Sequence, residues 1–268
     1  MQYFGGKQKI AGYIASFINK REREREEIIY VEPFCGSCNV ASKIHIKKKI
    51  LNDKNPYLIA MFKALQNGWM PPIKISEEEY QLVKKNQDKE PHIAGFVGFA
   101  CSFAGKFWGG YARDSKGGGK GNYALRGHNS ILKKMKTLID AEFTCKDFTE
   151  ISFNNCIIYC DPPYKNTTPY YKKILGEFPY DKFLDWINKQ SKNNIVLVSE
   201  YKHNIPDNAY ILLEIPSRTN IRNKNGKVIE TVEVLYTVNK NFNTNLLHST
   251  NIKVIQDKNS NINEVISL

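Results

Sequence analysis

The residues with the clearest capacity for chemistry are Asp161-Pro162-Pro163-Tyr164, which directly follow the apolar run Ile157-Cys160. Two consecutive prolines remove two backbone donors and hold φ near about −65°, so a strand must end here and a stiff loop must follow. In open α/β sheets, ligands bind at the carboxyl ends of the strands. We therefore expect an acid, two prolines and an aromatic ring to be held together at a ligand-binding edge.

A second candidate site follows the short buried run Ile28-Val31, where the turn Glu32-Pro33-Phe34-Cys35-Gly36-Ser37 begins. Glycine in such a turn permits close backbone approach to a nucleotide-type ligand, although one glycine is most often only part of a turn. Asp53 ends the next strand, where Rossmann-like domains place an acid that accepts hydrogen bonds from ribose hydroxyls. Spacing alone leaves open the alternative that Asp53 caps a helix from Asn55 onward.

Alternation of strands and helices organises both ends of the chain but not its middle. Apolar spacing predicts helices at Gln8-Lys20, Val40-Ile46, Tyr57-Gln66, Glu77-Lys85 and Asp181-Gln190, and strands at Ile28-Val31, Lys49-Leu51, Ile157-Cys160 and Ile195-Ser199. The alternating segment VIETVEVLYTV, residues 228–238, predicts an antiparallel pair. We therefore predict an α/β fold, with a Rossmann-like domain at 1–54 and 145–238, a mostly helical insert at 55–144 and an asparagine-rich tail at 239–268.

Positive charge is concentrated in one part of the predicted insert. The chain has a net charge of +12, and eight bases but a single acid, Asp114, lie between Ser102 and Lys136. A solvated loop is the ordinary interpretation of a charge run. Here aromatic residues and glycines lie between the bases, and phosphates need cations while unstacked bases need flat faces. This combination favours a nucleic-acid surface.

Composition also argues against membrane and metal classes. No apolar run approaches the roughly 20 residues of a membrane span, so we expect a soluble protein of the cytoplasm. Cys35 and Cys38 have zinc or thioredoxin spacing, and Cys156 and Cys160 could complete four ligands. However, the second pair brackets an apolar strand, where buried thiols are ordinary, and the five histidines share no ligand spacing. We expect no metal.

Several segments, taken together and in order, resemble the Dam-type (D12 class, alpha group) DNA adenine-N6 methyltransferases. YFGGK (Tyr3-Lys7) is similar to the family's N-terminal cofactor motif, EPFCGS (Glu32-Ser37) to its F-x-G motif, and LNDKNP (Leu51-Pro56) to its acidic motif. DPPY (Asp161-Tyr164) is similar to the catalytic motif, and SRTNIRNKNGKVIETVEVLY (Ser217-Tyr236) to the closing hairpin. The likeness covers about residues 1–238. Four motifs in register are far more specific than DPPY alone, because related tetrapeptides serve other amino methylations.

Two features depart from the family pattern. Cys38 and Asn39 stand where many members have small residues, and the insert carries no recognition residues that align with the family. The resemblance therefore gives a reaction and a fold, a class I methyltransferase domain with an inserted DNA-recognition domain, but no target sequence.

The implied reaction explains the DPPY tetrapeptide. An exocyclic adenine amine is a poor nucleophile because its lone pair is delocalised into the ring. The Asp161 carboxylate and the Pro162 carbonyl can accept both N6 hydrogens and favour a pyramidal nitrogen aimed at a methyl group. Pro162 and Pro163 fix the direction of that carbonyl, and Tyr164 can stack on a base turned out of the duplex.

The resemblance also implies S-adenosyl-L-methionine as the methyl donor. Phe34 and Gly36 would lie beside its amino-acid end, Asp53 on the ribose, Tyr3 and Lys7 nearby, and Asp147 and Phe148 on the adenine side. The full set of implied cofactor residues is Tyr3, Lys7, Glu32, Phe34, Gly36, Ser37, Asp53, Asp147, Phe148 and Asp161.

Double-stranded DNA is the implied partner, and the basic segment is its expected contact. The candidate DNA-binding residues are Lys106, Tyr111, Arg113, Lys116, Lys120, Tyr123 and Arg126. We expect the lysines to contact phosphates, an arginine to read guanine, and a tyrosine to fill the space left by the turned-out adenine. A separately encoded restriction endonuclease is compatible with this interpretation. Two alternatives remain at this point: an RNA adenine methyltransferase, and a DNA-binding protein without catalysis.

Overall fold

The computed structural model describes residues 1–20, 28–113, 121–165, 176–222 and 228–239, and only the backbone at 216–222 and 228–231. In these ranges the helices are α1 (Ala11–Asn19), α2 (Pro56–Gln66), α3 (Glu77–Lys85), α4 (Pro91–Ala100), α5 (Tyr123–Met135) and α6 (Tyr180–Gln190). The strands are β1 (Ile29–Glu32), β2 (Lys49–Asn52), β3 (Glu142–Thr144), β4 (Cys156–Cys160), β5 (Ile195–Tyr201), β6 (Tyr210–Arg222) and β7 (Val228–Thr237). Lys116, Lys120 and the tail from residue 240 lie outside the described residues.

The strands form one mixed sheet in the order β3-β2-β1-β4-β5-β7-β6. The first five are parallel, and β7 lies antiparallel between β5 and β6. Strand order reverses between β1 and β4, which pair directly with Val31 opposite Ile158. Such a reversal leaves a crevice at the carboxyl ends of the two strands. The predicted α/β, Rossmann-like fold is confirmed, and the ends of β1 and β4 lie side by side.

Apolar side chains cover both faces of the sheet. All five residues of β4 are buried, as expected for a parallel strand between two layers. On one face, Tyr30 and Ile157 pack in a cluster with residues of α1, α2, α4 and α5. On the other face, Val31 and Ile158 pack with Phe183 and Trp186 of α6. The fold is therefore a three-layer α/β/α arrangement.

One local expectation was wrong, and one helix was not predicted. Val40-Ile46 forms only a short 3₁₀ turn at Ala41–Lys43 instead of a helix. Ile44 and Ile46 are buried while His45 and Lys47 are exposed, so this segment has the two-residue period of an extended chain. Conversely, α4 gave no amphipathic signal, because seven of its ten residues are buried and apolar residues surround it.

The predicted insert is largely helical in its described part. It contains α2, α3, α4 and α5, and side chains cap three of these helices: Asn55 for α2, Ser76 for α3 and Asn122 for α5. At its end, however, β3 pairs in parallel with β2 and so belongs to the sheet. The division of the chain into domains stays a prediction. No helix in the described ranges is long and apolar enough to span a membrane.

The crossing of α2 and α4 depends on glycine. A Cβ added at Gly95 would lie 2.1 Å from the Tyr57 carbonyl oxygen of α2. We expect Gly95→Ala to lower the free energy of unfolding by roughly 1–3 kcal/mol, the usual cost of overpacking a core. Urea denaturation measures this cost. Gly12→Ala in α1, whose added Cβ meets no described atom within 4 Å, is the control and should be neutral or stabilising by about 0.5–1 kcal/mol. Equal stability of the two variants would contradict this helix crossing.

Candidate active site

The loop after β4 is held at two of its residues. The Tyr180 hydroxyl of α6 donates a hydrogen bond of 2.6 Å to the Pro163 carbonyl, and the Tyr164 hydroxyl donates to Glu233 of β7. Pro162, which directly follows Asp161, is buried. Because the prolines also fix φ, the Asp161 carboxylate has a defined place at the carboxyl end of β4.

Lys7 joins three residues around this loop. Its Nζ lies 2.7 Å from Asp161 Oδ1, 3.1 Å from Glu233 Oε1 and 4.3 Å from the centre of the Tyr164 ring. The side chains of Lys7 and Glu233 are about nine-tenths buried. The structure thus brings together Lys7, Asp161 and Tyr164, three residues that the sequence predicted, and adds Glu233.

The electrostatics of this cluster favour a charged aspartate at neutral pH. Burial raises the pKa of Asp161 to about 6, Lys7 opposes that rise, and Glu233 adds to it. Burial alone would lower the pKa of Lys7, but Asp161 and Glu233 outweigh it and raise that pKa. Asp161 therefore remains an acceptor at pH 7, with a protonated Lys7 beside it.

The N-terminal segment that carries Lys7 is tightly fitted against the insert. The Phe4 amide donates to the Gly105 carbonyl at 3.0 Å. Gly105 has φ +67°, and an added Cβ would lie 2.6 Å from the Tyr3 nitrogen. The Tyr3 ring packs on Phe99 of α4, with ring centres 4.8 Å apart. These contacts hold the segment from Tyr3 to Lys7 above the strand ends.

Asp53 ties the turn after β1 to the start of α2. Its Oδ2 accepts from the Gly36 amide and its Oδ1 from the Asn55 amide, both at 2.9 Å. Asn55, and not Asp53, is the N-cap of α2, so the helix-cap alternative does not describe this carboxylate. Burial raises the pKa of Asp53 to about 6.

The turn between β1 and the 3₁₀ segment leaves a polar group without a described partner. Gly36 has φ +47°, and an added Cβ would lie 3.0 Å from the Tyr3 ring. The Ser37 Oγ is buried and has no hydrogen-bond partner among the described residues. A buried hydroxyl usually finds a partner, so this one is a candidate ligand contact.

Aromatic rings surround Phe34 on the second face of the sheet. Its ring centre lies 5.5 Å from Phe148 and 5.7 Å from both Phe178 and Phe183. Asp147, next to Phe148, accepts from Thr149 and pairs with Lys54 at 2.9 Å. The predicted residues Phe34, Asp147 and Phe148 therefore lie together.

Glu32 is a buried acid at the end of β1. It accepts a hydrogen bond of 2.6 Å from the Tyr30 hydroxyl. Burial raises the pKa of Glu32 to about 8, the Tyr30 contact opposes the rise, and Asp161 adds to it. Its carboxyl is therefore mostly protonated at pH 7, unlike that of Asp161.

The residues predicted to contact DNA differ in how far they are already engaged within the protein. Arg126 is exposed on α5, with its guanidinium 4.3 Å from the centre of the Tyr123 ring. Arg113 is exposed and paired with Glu77 of α3. The Tyr111 hydroxyl donates to the Ile75 carbonyl at 2.8 Å, so filling a gap in DNA would require Tyr111 to break this bond.

Lys106 belongs with the N-terminal segment. Its Nζ lies 4.7 Å from the centre of the Phe4 ring, close to the segment that carries Lys7. Lys116 and Lys120 lie outside the described residues. The DNA-binding roles of all these residues stay predictions.

Sequence reasoning missed three charged groups. Glu233 and Glu200 are buried acids on β7 and β5, and burial raises the pKa of Glu200 to about 7. Lys134 of α5 donates to the Ser37 carbonyl at 2.5 Å and to Asn39 Oδ1 at 2.6 Å. Glu233 gave no sequence signal, because it falls on the polar positions of the alternating segment at 228–238, in phase with Thr231 and Thr237.

The cysteines lie where the sequence placed them. Cys35 and Cys38 are buried in the turn after β1, and Cys156 and Cys160 are the two ends of β4. In the part of the chain that the structure describes, no three His, Cys, Asp or Glu side chains are grouped as metal ligands.

Comparison with known families bears on the first third of the chain. Residues 3–97 match the model of the D12 class N6 adenine-specific DNA methyltransferases. This match covers about a third of the chain. The matched region includes Tyr3-Lys7, Glu32-Ser37 and Leu51-Pro56, three of the segments on which the predicted resemblance rests, and the resemblance is confirmed there.

Two named relatives of this chain come from bacteria. Modification methylase StsI from Streptococcus sanguinis is 27% identical over 225 residues, covering 70% of this chain and 33% of that protein. Type II methyltransferase M.FokI from Planomicrobium okeanokoites is 24% identical over 199 residues, covering 64% of this chain and 29% of that protein. The chain thus spans about a third of the length of these curated relatives.

A solved structure overlaps this chain only loosely. The putative RNA methyltransferase PH1948 from Pyrococcus horikoshii has a TM-score of 0.37 and 8% sequence identity, covering 87% of this chain and 84% of that one. The assignment of the fold rests on the strand order of the sheet.

The buried Glu32 carboxyl predicts that the stability of the protein depends on pH. Its pKa is about 8 in the folded chain against 4.5 ordinarily, so the folded state holds a proton that the unfolded state has lost. This contribution is full below pH 4.5 and is lost as pH rises through about 8. We expect Glu32→Gln to lose stability less steeply than the wild type between pH 5 and pH 8 in urea denaturation.

The exposed Glu214 of β6 provides the control for this measurement, since it pairs with Lys202 at the surface. Glu214→Gln should follow the wild-type curve. If Glu32→Gln also keeps the wild-type slope, Glu32 is charged at neutral pH and the assignment of its pKa is wrong.

Proposed function

We propose that this chain is a site-specific DNA adenine-N6 methyltransferase, which transfers a methyl group from S-adenosyl-L-methionine to an adenine turned out of double-stranded DNA. The observation that carries the proposal is the Asp161 carboxylate. It is held between a proline-fixed loop and Lys7 at the point where strand order reverses, in a chain whose residues 3–97 match the D12 class model.

The residues at the ends of β1 and β2 fit the proposed cofactor. Ser37 offers a buried hydroxyl without a described partner, and Gly36 brings the backbone close to the Tyr3 ring. The Asp53 oxygens lie beside this turn, where ribose hydroxyls could donate to them. Phe34 and Phe148 offer flat apolar faces for an adenine ring. When bound, S-adenosyl-L-methionine supplies an electrophilic methyl group.

Asp161 and Pro162 would prepare the target amine. Lys7 engages Asp161 Oδ1, so we assign Oδ2 to accept one N6 hydrogen and the Pro162 carbonyl to accept the other. Both contacts favour a pyramidal nitrogen with its lone pair directed at the methyl group. Tyr164, whose hydroxyl is fixed on Glu233, would stack on the base.

The same arrangement provides an acceptor for the proton that N6 must lose. After methyl transfer the nitrogen carries one proton too many, and this proton must leave to restore a neutral amine. Asp161, with a pKa of about 6, can accept it and release it to water near neutral pH. Lys7 stays charged throughout and limits the negative charge that Asp161 presents to the base.

The insert would provide the DNA contact. Tyr123 and Arg126 lie on α5, whose last turn reaches the cofactor turn through Lys134. The names of the two relatives support a modification role, for which a separately encoded restriction endonuclease would be the partner. The enzyme would act in the cytoplasm of a prokaryotic or phage-infected cell, where the DNA is.

Removal of the Asp161 carboxylate tests the proposed reaction. We expect Asp161→Ala to abolish methyl transfer to duplex DNA, because the N6 amine loses an acceptor, while DNA affinity changes by only a few fold. Radiolabelled methyl transfer, with product analysis for N6-methyladenine, measures the activity. Asp185→Asn, on the exposed face of α6, is the control and should behave as the wild type.

The same assay separates the alternatives. Near-normal turnover in Asp161→Ala would overturn the assigned mechanism. Methylation of RNA but not of duplex DNA by the wild type would replace DNA with RNA as the substrate. Binding of DNA with no methylated product from the wild type would indicate the non-catalytic alternative.

The basic segment can be tested by salt dependence. Replacing Lys116 and Lys120 by Ala should weaken binding to all duplexes alike and flatten the slope of log affinity against log salt by up to roughly two units, about 0.9 per phosphate contact. Replacing Arg126 by Ala should instead relax the sequence preference, because a guanidinium can pair with guanine O6 and N7. Binding at several salt concentrations to matched and mismatched duplexes measures both. Unchanged slopes and preferences would show that these residues do not contact DNA.

A further inference from the structure

The buried acid on the closing hairpin belongs to the reaction centre. We infer that Glu233 is a positioning residue for methyl transfer, which holds the Lys7 ammonium and the Tyr164 hydroxyl in place around Asp161. Its catalytic part rests on the proposed function.

Backbone pairing fixes where Glu233 lies. In β7 it is opposite Tyr201 of β5 and Ile215 of β6, so strands flank it on both sides. Its residue is 8% exposed, and Leu235, two residues on and on the same face, is 1% exposed. A carboxylate at such a place is costly unless it is paired and hydrogen-bonded. Lys7 and Tyr164 supply both contacts.

Glu233 determines how Lys7 approaches Asp161. An ammonium has three donors, and two of them are directed at Asp161 Oδ1 and Glu233 Oε1. With Glu233 present, Lys7 is held to one side of Asp161. Without it, Lys7 is free to centre on Asp161 and compete with the N6 hydrogens for the carboxylate.

Glu233 also fixes the Tyr164 ring. The hydroxyl is bound to Glu233, the ring face lies under Lys7, and the ring meets Tyr201 edge-on with centres 4.8 Å apart. A ring held in three directions offers a stacking face of defined orientation. Loss of the Glu233 contact removes this hydrogen bond from the hydroxyl end of the ring.

The charges around Asp161 come from several elements. Lys7 and Glu233 face it from the N-terminal segment and β7, and Tyr159 and Tyr164 from β4 and its loop. Glu32 of β1 and Tyr201 of β5 also interact with it. The nearby Glu200 carboxylate accepts from the Lys165 and Tyr201 amides and from Asn204. Among these groups, Glu233 is the acid that shares the Lys7 ammonium with Asp161.

Glu233→Gln keeps an acceptor for Tyr164 but removes the charge. We expect kcat to fall by roughly tenfold, the scale of one lost positioning contact, with KM values for DNA and cofactor within about twofold of the wild type. The acid limb of kcat should move to lower pH by roughly one unit, because a like charge beside Asp161 is gone. Glu233→Ala, which also removes the acceptor, should lower kcat further.

Carboxyl ¹³C NMR gives a readout that needs no turnover. With aspartate labelled and Asp161→Asn used for assignment, Asp161 should titrate near pH 6 in the wild type. Glu233→Gln should lower that midpoint, and Lys7→Met should raise it, since Lys7 favours the charged form. Glu214→Gln, an exposed glutamate on the neighbouring β6, should leave both kcat and the midpoint unchanged.

The outcomes separate the inference from the proposed function. Wild-type kcat, acid limb and Asp161 midpoint in Glu233→Gln would overturn the role of Glu233 while the enzyme still methylates adenine. A wild type that methylates nothing ends the proposed function, and the Asp161 midpoint still decides whether Glu233 acts on it. If Glu233→Gln does not fold, Glu233→Asp keeps the charge but shortens the side chain. It should lower kcat with the Asp161 midpoint retained, and a wild-type kcat would count against the inference.

Discussion

The arrangement of this protein depends on one buried ion pair, between Lys7 and Asp161. A carboxylate at the end of a buried central strand is unfavourable on its own, and its pKa rises accordingly. Lys7 keeps this carboxylate charged, but Lys7 lies in the N-terminal segment, far from Asp161 in the sequence. The N-terminal loop must therefore lie across the carboxyl ends of the strands, and its contacts with Gly105 and Phe99 hold it there.

That constraint links the two predicted parts of the molecule. The loop that carries Lys7 rests on the end of α4, within the predicted insert, and α5 of the same insert reaches the turn after β1. Lys134 donates to the Ser37 carbonyl and to Asn39, and burial lowers the pKa of Lys134 to about 8. Tyr123 and Arg126, which we predict to bind DNA, thus lie on the same helix as the Lys134 contact to the turn after β1, which we propose as the cofactor turn. A rigid element that joins two binding sites is a physical route for coupling between them.

Particular residues show what the sequence could and could not specify. The strand before Asp161 was predictable because an apolar run followed by two prolines has few alternatives, and helix α6 because its apolar residues keep a 3.6-residue period. Helix α4 was not, because a helix that is apolar all round has no period to detect. The chemical segments at Tyr3-Lys7, Glu32-Ser37 and Asp161-Tyr164 were found, since turn chemistry is local. The contact between Lys7 and Glu233 spans 226 positions and follows only from the strand order.

The buried acids share a physical consequence. Burial raises the pKa of Glu32, Asp53, Asp161 and Glu200, so each of these carboxyls would be charged more readily in the unfolded chain than in the folded one. At a pH above these pKa values the four carboxylates therefore destabilise the folded state. Packed apolar side chains at the same positions would not have this effect. All four lie at or just beyond the carboxyl ends of β1, β2, β4 and β5, whereas the strands themselves are mainly apolar. Destabilising acids confined to one edge of a sheet are better explained by the chemistry of that edge than by the requirements of the fold.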